Sequence, residues 1–259
     1  MSQEIQPIIY ISGGLLGDFI HQLSVINEMF INTNRKGILY INNFKDCPFR
    51  YEISKTYKDT YKLVTEQNYI LEYKIYNNEK YDINLSSWRY SNLLYKTTWD
   101  KIFIDTYKIS WGINKWINVG KDDKWKDMIL INKSSYRDCN NINFSYINEK
   151  YGNKTKFVCF NIEEYNNFCN TFNIYNIELC QLDNLYDLCV AINSCKLFIG
   201  NLSSPLAFAY ALHKKSIVGI PLNIPDSIFH RGLEVVIPNL IINDNPDEII
   251  KKIDELCIE

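Results

Sequence analysis

The sequence lacks an excess of either charge: 28 lysines and arginines face 30 aspartates and glutamates, a formal net charge of −2. That balance removes the electrostatic footprint of a protein that holds nucleic acid or an anionic membrane. No apolar run reaches the length of a bilayer span, so no stable membrane insertion is expected. The first residues, Met1-Ser-Gln-Glu-Ile-Gln-Pro7, carry neither the basic nor the apolar region of a signal peptide. No CxxC pair occurs among the eight cysteines, which sit mostly inside apolar patterns such as Phe157-Val-Cys-Phe160 and Asp187-Leu-Cys-Val190. They read as buried reduced thiols, neither a disulfide frame nor a zinc site, and the expected compartment is cytoplasmic. A full Gly-x-Gly-x-x-Gly spacing is missing, as is an acidic residue clearly ending the second strand, which disfavours a nicotinamide-dependent oxidoreductase.

What is present is a repeated alternation of short apolar runs and helical periodicity. Pro7-Ile-Ile-Tyr-Ile-Ser12 has the pattern of a strand buried on both faces. Gly13-Gly-Leu-Leu-Gly17 is a glycine-rich turn, and Asp18 opens a helix whose Leu16, Ile20, Leu23, Ile26 and Phe30 recur at helical spacing. Gly37-Ile-Leu-Tyr-Ile-Asn42 is the next strand, completing a β-turn-α-β unit. A second such unit lies at residues 197–220. There an apolar strand breaks at Gly200, a polar turn covers residues 201–204, and an alanine-rich helix leads to the strand Ile217-Val-Gly-Ile220. Pro205 suits a first helical turn, and Ser203 or Ser204 can cap it. Such a turn points unpaired N–H groups and the positive end of a helix dipole outward, which suits phosphate, although good capping alone also explains it. Further strands are expected at residues 69–76, 81–85, 128–132, 157–161 and 177–180, and helices at 97–112, 163–172, from 183 or 184 onward, and after Asn245. The charged stretch 120–127 reads as a linker. The expected fold class is α/β, with two Rossmann-like domains facing across a cleft.

The two turns, taken with their order and spacing, resemble the ADP-heptose:lipopolysaccharide heptosyltransferase family, glycosyltransferase family 9. They are Gly13-Gly-Leu-Leu-Gly-Asp-Phe-Ile-His21 and Leu197-Phe-Ile-Gly-Asn-Leu-Ser-Ser-Pro-Leu-Ala-Phe-Ala-Tyr-Ala-Leu212. The resemblance implies the GT-B fold, with residues 1–118 as an acceptor domain and 126–259 as a nucleotide-sugar donor domain whose last helix is free to pack back on the first. It implies transfer of a sugar from a nucleotide-diphosphate sugar to a hydroxyl of a glycan or other acceptor, with inversion. No Asp-x-Asp motif is present to place a divalent ion on the diphosphate, in keeping with metal-independent chemistry and no cofactor. Two departures stand out. Leu15-Leu16 interrupts the glycine turn, and Asn201 carries an amide where the family has a carboxylate. A non-catalytic nucleotide- or sugar-binding relative is therefore the alternative.

Asp18, at the end of the turn formed by Gly13, Gly14 and Gly17, is the expected general base for the acceptor hydroxyl; its other reading is an N-terminal helix cap. His21, one turn further on, reads as a cleft-wall or packing residue before a catalyst. Lys133, Ser134, Ser135 and Arg137 follow a strand of the second domain where the family meets donor phosphates, or form an ordinary solvated turn. Asn201, Ser203 and Ser204 complete the donor site. Glu163 or Glu164 falls where the family places a carboxylate near the donor ribose. Trp88 and Arg89 are candidates for an acceptor sugar, although a tryptophan is equally at home in a core. His230 and Arg231 follow the last strand-loop, which the resemblance implies to border the cleft.

Overall fold

The computed structural model describes residues 6–134, 137, 141–180, 182–221 and 224–258. In the first half, β1 (Ile8–Ser12), α1 (Leu16–Thr33), β2 (Gly37–Ile41), α2 (Ile53–Thr65), β3 (Ile70–Ile75), β4 (Ile83–Asn84) and α3 (Trp99–Tyr107) follow one another. Their strands form one parallel sheet in the order β3-β2-β1-β4. The second half runs β5 (Ile129–Asn132), α4 (Phe144–Tyr151), β6 (Thr155–Val158), α5 (Ile162–Phe172), β7 (Glu178–Cys180) and α6 (Leu185–Ser194). It continues with β8 (Leu197–Asn201), α7 (Ser204–Ala211), β9 (Ser216–Gly219), β10 (Leu240–Ile242) and α8 (Pro246–Ile258). These strands make a second parallel sheet, ordered β10-β9-β8-β5-β6-β7. The strand order reverses between β1 and β4 and again between β5 and β8. Loops leaving the carboxyl ends of those strands diverge there, which is where open α/β sheets accept ligands. Among the described residues no helix is long and apolar enough to cross a membrane.

The sheets are joined through α1. Its residues Phe19 to Glu28 are buried without interruption, so the helix is covered on every side instead of along one stripe. One side faces the first sheet and another packs on α7, whose Ala207, Ala209 and Ala211 are buried. A segment of extended chain, residues 114–118, sews the two together. Trp116 Nε1 donates to Ile20 O at 2.8 Å, and Asn27 Nδ2 donates to Lys115 O at 3.1 Å. On the other side, the Trp116 N–H donates to Ala211 O at 3.1 Å. Tyr69 OH in turn donates to Trp116 O at 2.6 Å. Backbone and indole are thus satisfied by both halves at once, which allows a polar segment to be buried at the seam.

Several elements differ from expectation. Helices α2 and α4 were not anticipated; the face α2 buries carries Thr56 and Thr60 beside Leu63 and Val64, which blurs its apolar stripe. Strand β8 does not stop at Gly200 but runs to Asn201. A Cβ at Gly200 would come within 2.8 Å of the Phe198 ring and 3.3 Å of Asn132 O, so glycine here serves close strand approach and not a turn. Residues 120–127 are no loose linker: Trp125 is buried and the Asp122 N–H donates to Ser194 Oγ at 2.8 Å. The last helix stays on its own sheet. Ile249 and Ile253 enter the core beneath β5, and Asp254 accepts from Tyr146, Lys150 and Tyr151 at 2.7–2.8 Å.

The seam segment gives a first prediction. Trp116→Ala should lower unfolding stability by about 3–5 kcal/mol, the range for truncating a buried aromatic. Urea unfolding checks it, and a loss below about 1 kcal/mol would mean that the sheets are held together elsewhere.

Candidate active site at the seam between the sheets

The glycine turn after β1 and the serine turn after β8 meet. A Cβ placed on Gly17 would sit 3.8 Å from Ser204 Cα, so the start of α1 and the start of α7 touch across the seam. Gly13 is fixed by the loop after β4: its N–H donates to Ser86 Oγ at 3.1 Å. Gln22 Nε2 donates to Gly13 O at 3.1 Å while its Oε1 accepts from Ser12 Oγ at 2.5 Å. Gly14 adopts φ +114°, a conformation open to glycine, and a Cβ there would lie 2.6 Å from Arg89 Nη2.

Asp18 is the third residue of α1, its side chain 19% exposed. Arg89 Nη2 donates to Asp18 Oδ2 at 2.5 Å, and the guanidinium lies 4.2 Å above the Trp88 ring. Burial pushes the Asp18 carboxyl above the usual carboxylate range, against the opposing pull of Arg89, of Arg137 and of the Leu15 backbone N–H. The N-cap of α1 is Leu15, so Asp18 is a first-turn carboxylate and not the cap. Trp88 is buried against Trp99 and Phe103, with centroids 4.8 and 6.4 Å away, so it supports Arg89 and presents no face to a sugar.

From the second sheet, Arg137 Nη2 reaches Asp226 Oδ2 at 2.5 Å, and Nη1 donates to Leu202 O at 3.3 Å. Two arginine–aspartate pairs thus face the same seam, and Arg137 is near enough to bear on Asp18. Among the described residues the buried Ser134 hydroxyl has no hydrogen-bond partner. Ser135 lies outside the described residues. Lys133 turns its ammonium over the Phe172 ring, 5.3 Å from the centroid, on the α5 side of the sheet.

Asn201 has a different task from the one its position suggests. Its Oδ1 accepts from the Ser134 N–H at 2.9 Å, and its Nδ2 donates to Ser134 O at 2.8 Å and Arg137 O at 2.6 Å. The amide is buried and holds the loop after β5; it offers no atom to a sugar. Ser203 is the N-cap of α7, but its hydroxyl donates to Asn132 Oδ1 at 2.8 Å instead of capping. Ser204 is then the serine at the helix start, its Cα against Gly17. Of the two glutamates beginning α5, Glu163 is exposed and bonded to its own cap, Asn161. Burial raises the Glu164 carboxyl, with Arg50 of the first half opposing.

The histidines are structural. His21 packs among Trp99, Trp111, Trp116 and Tyr210, with centroids 5.0–6.5 Å apart, and its Nδ1 has no partner. Burial pushes it down to about 3. His230 shares a hydrogen bond with Tyr210 OH at 3.1 Å; burial, with His21 and Arg137 nearby, holds it well below the usual range. Arg231 turns away to Asp244 at 2.6 Å. Among the described residues no group of three or more His, Cys, Asp or Glu is placed to hold a metal ion. The contacts that sequence reading could not supply are those of Asp226, Ser86 and Tyr210, which arrive from loops and helices distant in the chain.

Neither a protein-family model nor a curated protein matches the chain in sequence. Solved structures do resemble it. A family 9 glycosyltransferase from Veillonella parvula is 14% identical, with a TM-score of 0.59 over 100% of this chain and 95% of that one. The E. coli heptosyltransferase WaaC with ADP is 9% identical, with a TM-score of 0.57 over 96% and 99% of the two chains. A UDP-N-acetylglucosamine 2-epimerase is 8% identical, with a TM-score of 0.50 over 98% and 88%. The fold is GT-B, two Rossmann-like sheets joined at a seam, and different reactions are named on it, so the reaction must be argued from the site.

Two predictions follow from the buried polar groups. Both Asn201→Ala and Asn201→Asp should lose about 2 kcal/mol or more, because each strands the carbonyls of residues 134 and 137. Urea unfolding checks this; an aspartate variant as stable as the parent would show that the amide is not the loop's fastening. Unfolded histidine titrates near 6.5 and folded His21 near 3, so between these values the unfolded chain binds the extra proton. Stability present above pH 6.5 is therefore lost as pH falls, by about 1.4 kcal/mol per pH unit for such a histidine. The raised carboxyls of Asp18 and Glu28 act with opposite sign. The readout is accordingly the difference between parent and His21→Phe, whose stability should fall less steeply between about pH 6 and pH 4.5; parallel curves would contradict it.

Proposed function

We propose that the protein is a glycosyltransferase that moves a sugar from a nucleotide-diphosphate donor to an acceptor hydroxyl, by direct displacement with inversion and without a metal. The observation that carries this reading is the contact between the Asp18 turn and the Ser204 turn. It sets a basic carboxylate against the phosphate-suited start of α7, across the seam where the two strand orders reverse.

The two turns divide the work by charge. In a dinucleotide-binding unit the glycine turn lets the backbone approach a pyrophosphate. Here the space above Gly14 is taken by Arg89, and a carboxylate stands in the first turn of α1. Arg89 thus fills the place where a pyrophosphate would approach, its charge already committed to Asp18, which argues against the oxidoreductase reading. The second sheet has no such carboxylate in α7; it offers the Ser204 N–H, the buried Ser134 hydroxyl and the Arg137 guanidinium. The diphosphate is assigned there, with Arg137 exchanging Asp226 for the incoming anion. Asp18 then takes the acceptor proton, the acceptor oxygen bonds to the anomeric carbon, and the sugar–phosphate bond breaks. The charge left on the diphosphate meets Arg137 and the start of α7. The amide at Asn201 gives no support to a non-catalytic relative, because it belongs to the loop and not to a vacated catalytic position.

Asp18→Asn should keep the fold and donor affinity while lowering transfer by about two to four orders of magnitude, the usual worth of a general base. Product formation from a radiolabelled donor measures it. Transfer at the parent rate would leave Asp18 only its place in the first turn of α1.

A further inference from the structure

Arg89 was a candidate contact for the acceptor, but its guanidinium is committed to Asp18 and its side chain is only 26% exposed. We propose that Arg89 is a positioning residue, whose guanidinium, laid on the Trp88 indole and passing over Gly14, fixes the Asp18 carboxylate at the seam. The inference rests on Asp18 being the general base, and it adds a reason why that carboxylate has one orientation.

Four features carry it. The guanidinium contacts one carboxylate oxygen, Oδ2, at 2.5 Å. Its carbon stands 4.2 Å from the centroid of the Trp88 ring, where stacking favours a planar cation over an ammonium. The Trp88 platform is buried, and its backbone is tied in place: the backbone N–H donates to Tyr107 OH at 3.2 Å, and Tyr107 OH donates to Leu85 O at 2.6 Å. The loop that bears Arg89 is tied to the turn that bears Asp18 through Ser86 and Gly13, so both partners are referenced to one frame. The side chains are 26% and 19% exposed, which sets this pair apart from the solvated ion pairs elsewhere on the molecule.

The groups facing Asp18 define the electrostatics. Arg89 comes from the loop after β4 and Arg137 from the loop after β5, with Asp226 beyond it. His21 and His230 are held neutral by burial. Burial raises the Asp18 carboxyl and the two arginines oppose it, Arg89 foremost. Removing Arg89 must therefore drive the carboxyl further up and leave it more protonated at a given pH, which disables a base. Lysine would restore charge but neither the stacking nor the fixed geometry.

The test is a carbon-13 NMR titration of aspartate-labelled protein, with the Asp18 resonance identified by its loss in Asp18→Asn. In Arg89→Met the Asp18 midpoint should rise by about one to three pH units, and in Arg89→Lys by less. The acid limb of kcat/KM should move upward by the same amount, with activity recovering at higher pH and the acceptor KM unchanged. An unmoved midpoint in Arg89→Lys and Arg89→Met alike would overturn the proposal. So would an unmoved acid limb with a raised acceptor KM, which would make Arg89 an acceptor contact. If Arg89→Met fails to fold, a midpoint in Arg89→Lys at or below the parent value overturns it and a raised one supports it. A parent protein that transfers no sugar would defeat the proposed activity while leaving the titration readable.

Discussion

The structure depends on the close approach of α1 and α7. An α-helix buried along ten consecutive residues needs a partner on each side, and α1 has a sheet on one and a small-residue helix on the other. Close approach is eased by small groups: Gly17 meets Ser204, and α7 buries Ala207, Ala209 and Ala211. Once the helices touch, their first turns must also touch, and the two strand-order reversals become one site. The hydrogen bonds of residues 114–118 to both helices make this arrangement costly to separate, because each would leave a buried polar group unpaired.

That closeness explains the electrostatic pattern. Two carboxylates and two guanidiniums share a partly dry seam, and each cation is held by an aspartate from its own half, Arg89 by Asp18 and Arg137 by Asp226. Neither arginine is an exposed, freely hydrated charge. The first pair sits under a tryptophan-backed frame; the second lies between loops at the ends of β5 and β9. The asymmetry distinguishes two similar turns: one carries a carboxylate in the first turn of its helix, and the other has none in α7.

Much of this was legible from residue pattern. Continuous apolar runs marked β1, β2, β5 and β8, because strands covered on both faces carry no alternation. The Asn245-Pro-Asp-Glu248 start gave the cap of α8, and Asp183 or Asn184 that of α6, where Asn184 Oδ1 accepts the Asp187 N–H at 3.0 Å. Asp18 stood out because a carboxylate ends a glycine turn. What stayed hidden was side-chain direction. Asn201 sits in the motif yet faces the loop; Trp88 adjoins a strand end yet faces the core; Lys133 follows β5 yet lies over Phe172. Each outcome is set by a partner far along the chain. The same reason conceals Asp226, whose role exists only once β9 lies beside β8.

The central claim is that a nucleoside diphosphate binds at the ends of β5 and β8 and not at the glycine turn. Calorimetric titration of a free nucleoside diphosphate into the parent protein and into Arg137→Ala and Ser204→Ala, each with and without EDTA, tests it most directly. The account predicts that both substitutions weaken binding, Arg137→Ala by about tenfold or more, as expected for loss of a hydrogen bond to a charged group, and that the chelator has no effect. Affinity unchanged by both substitutions, or abolished by EDTA, would contradict it.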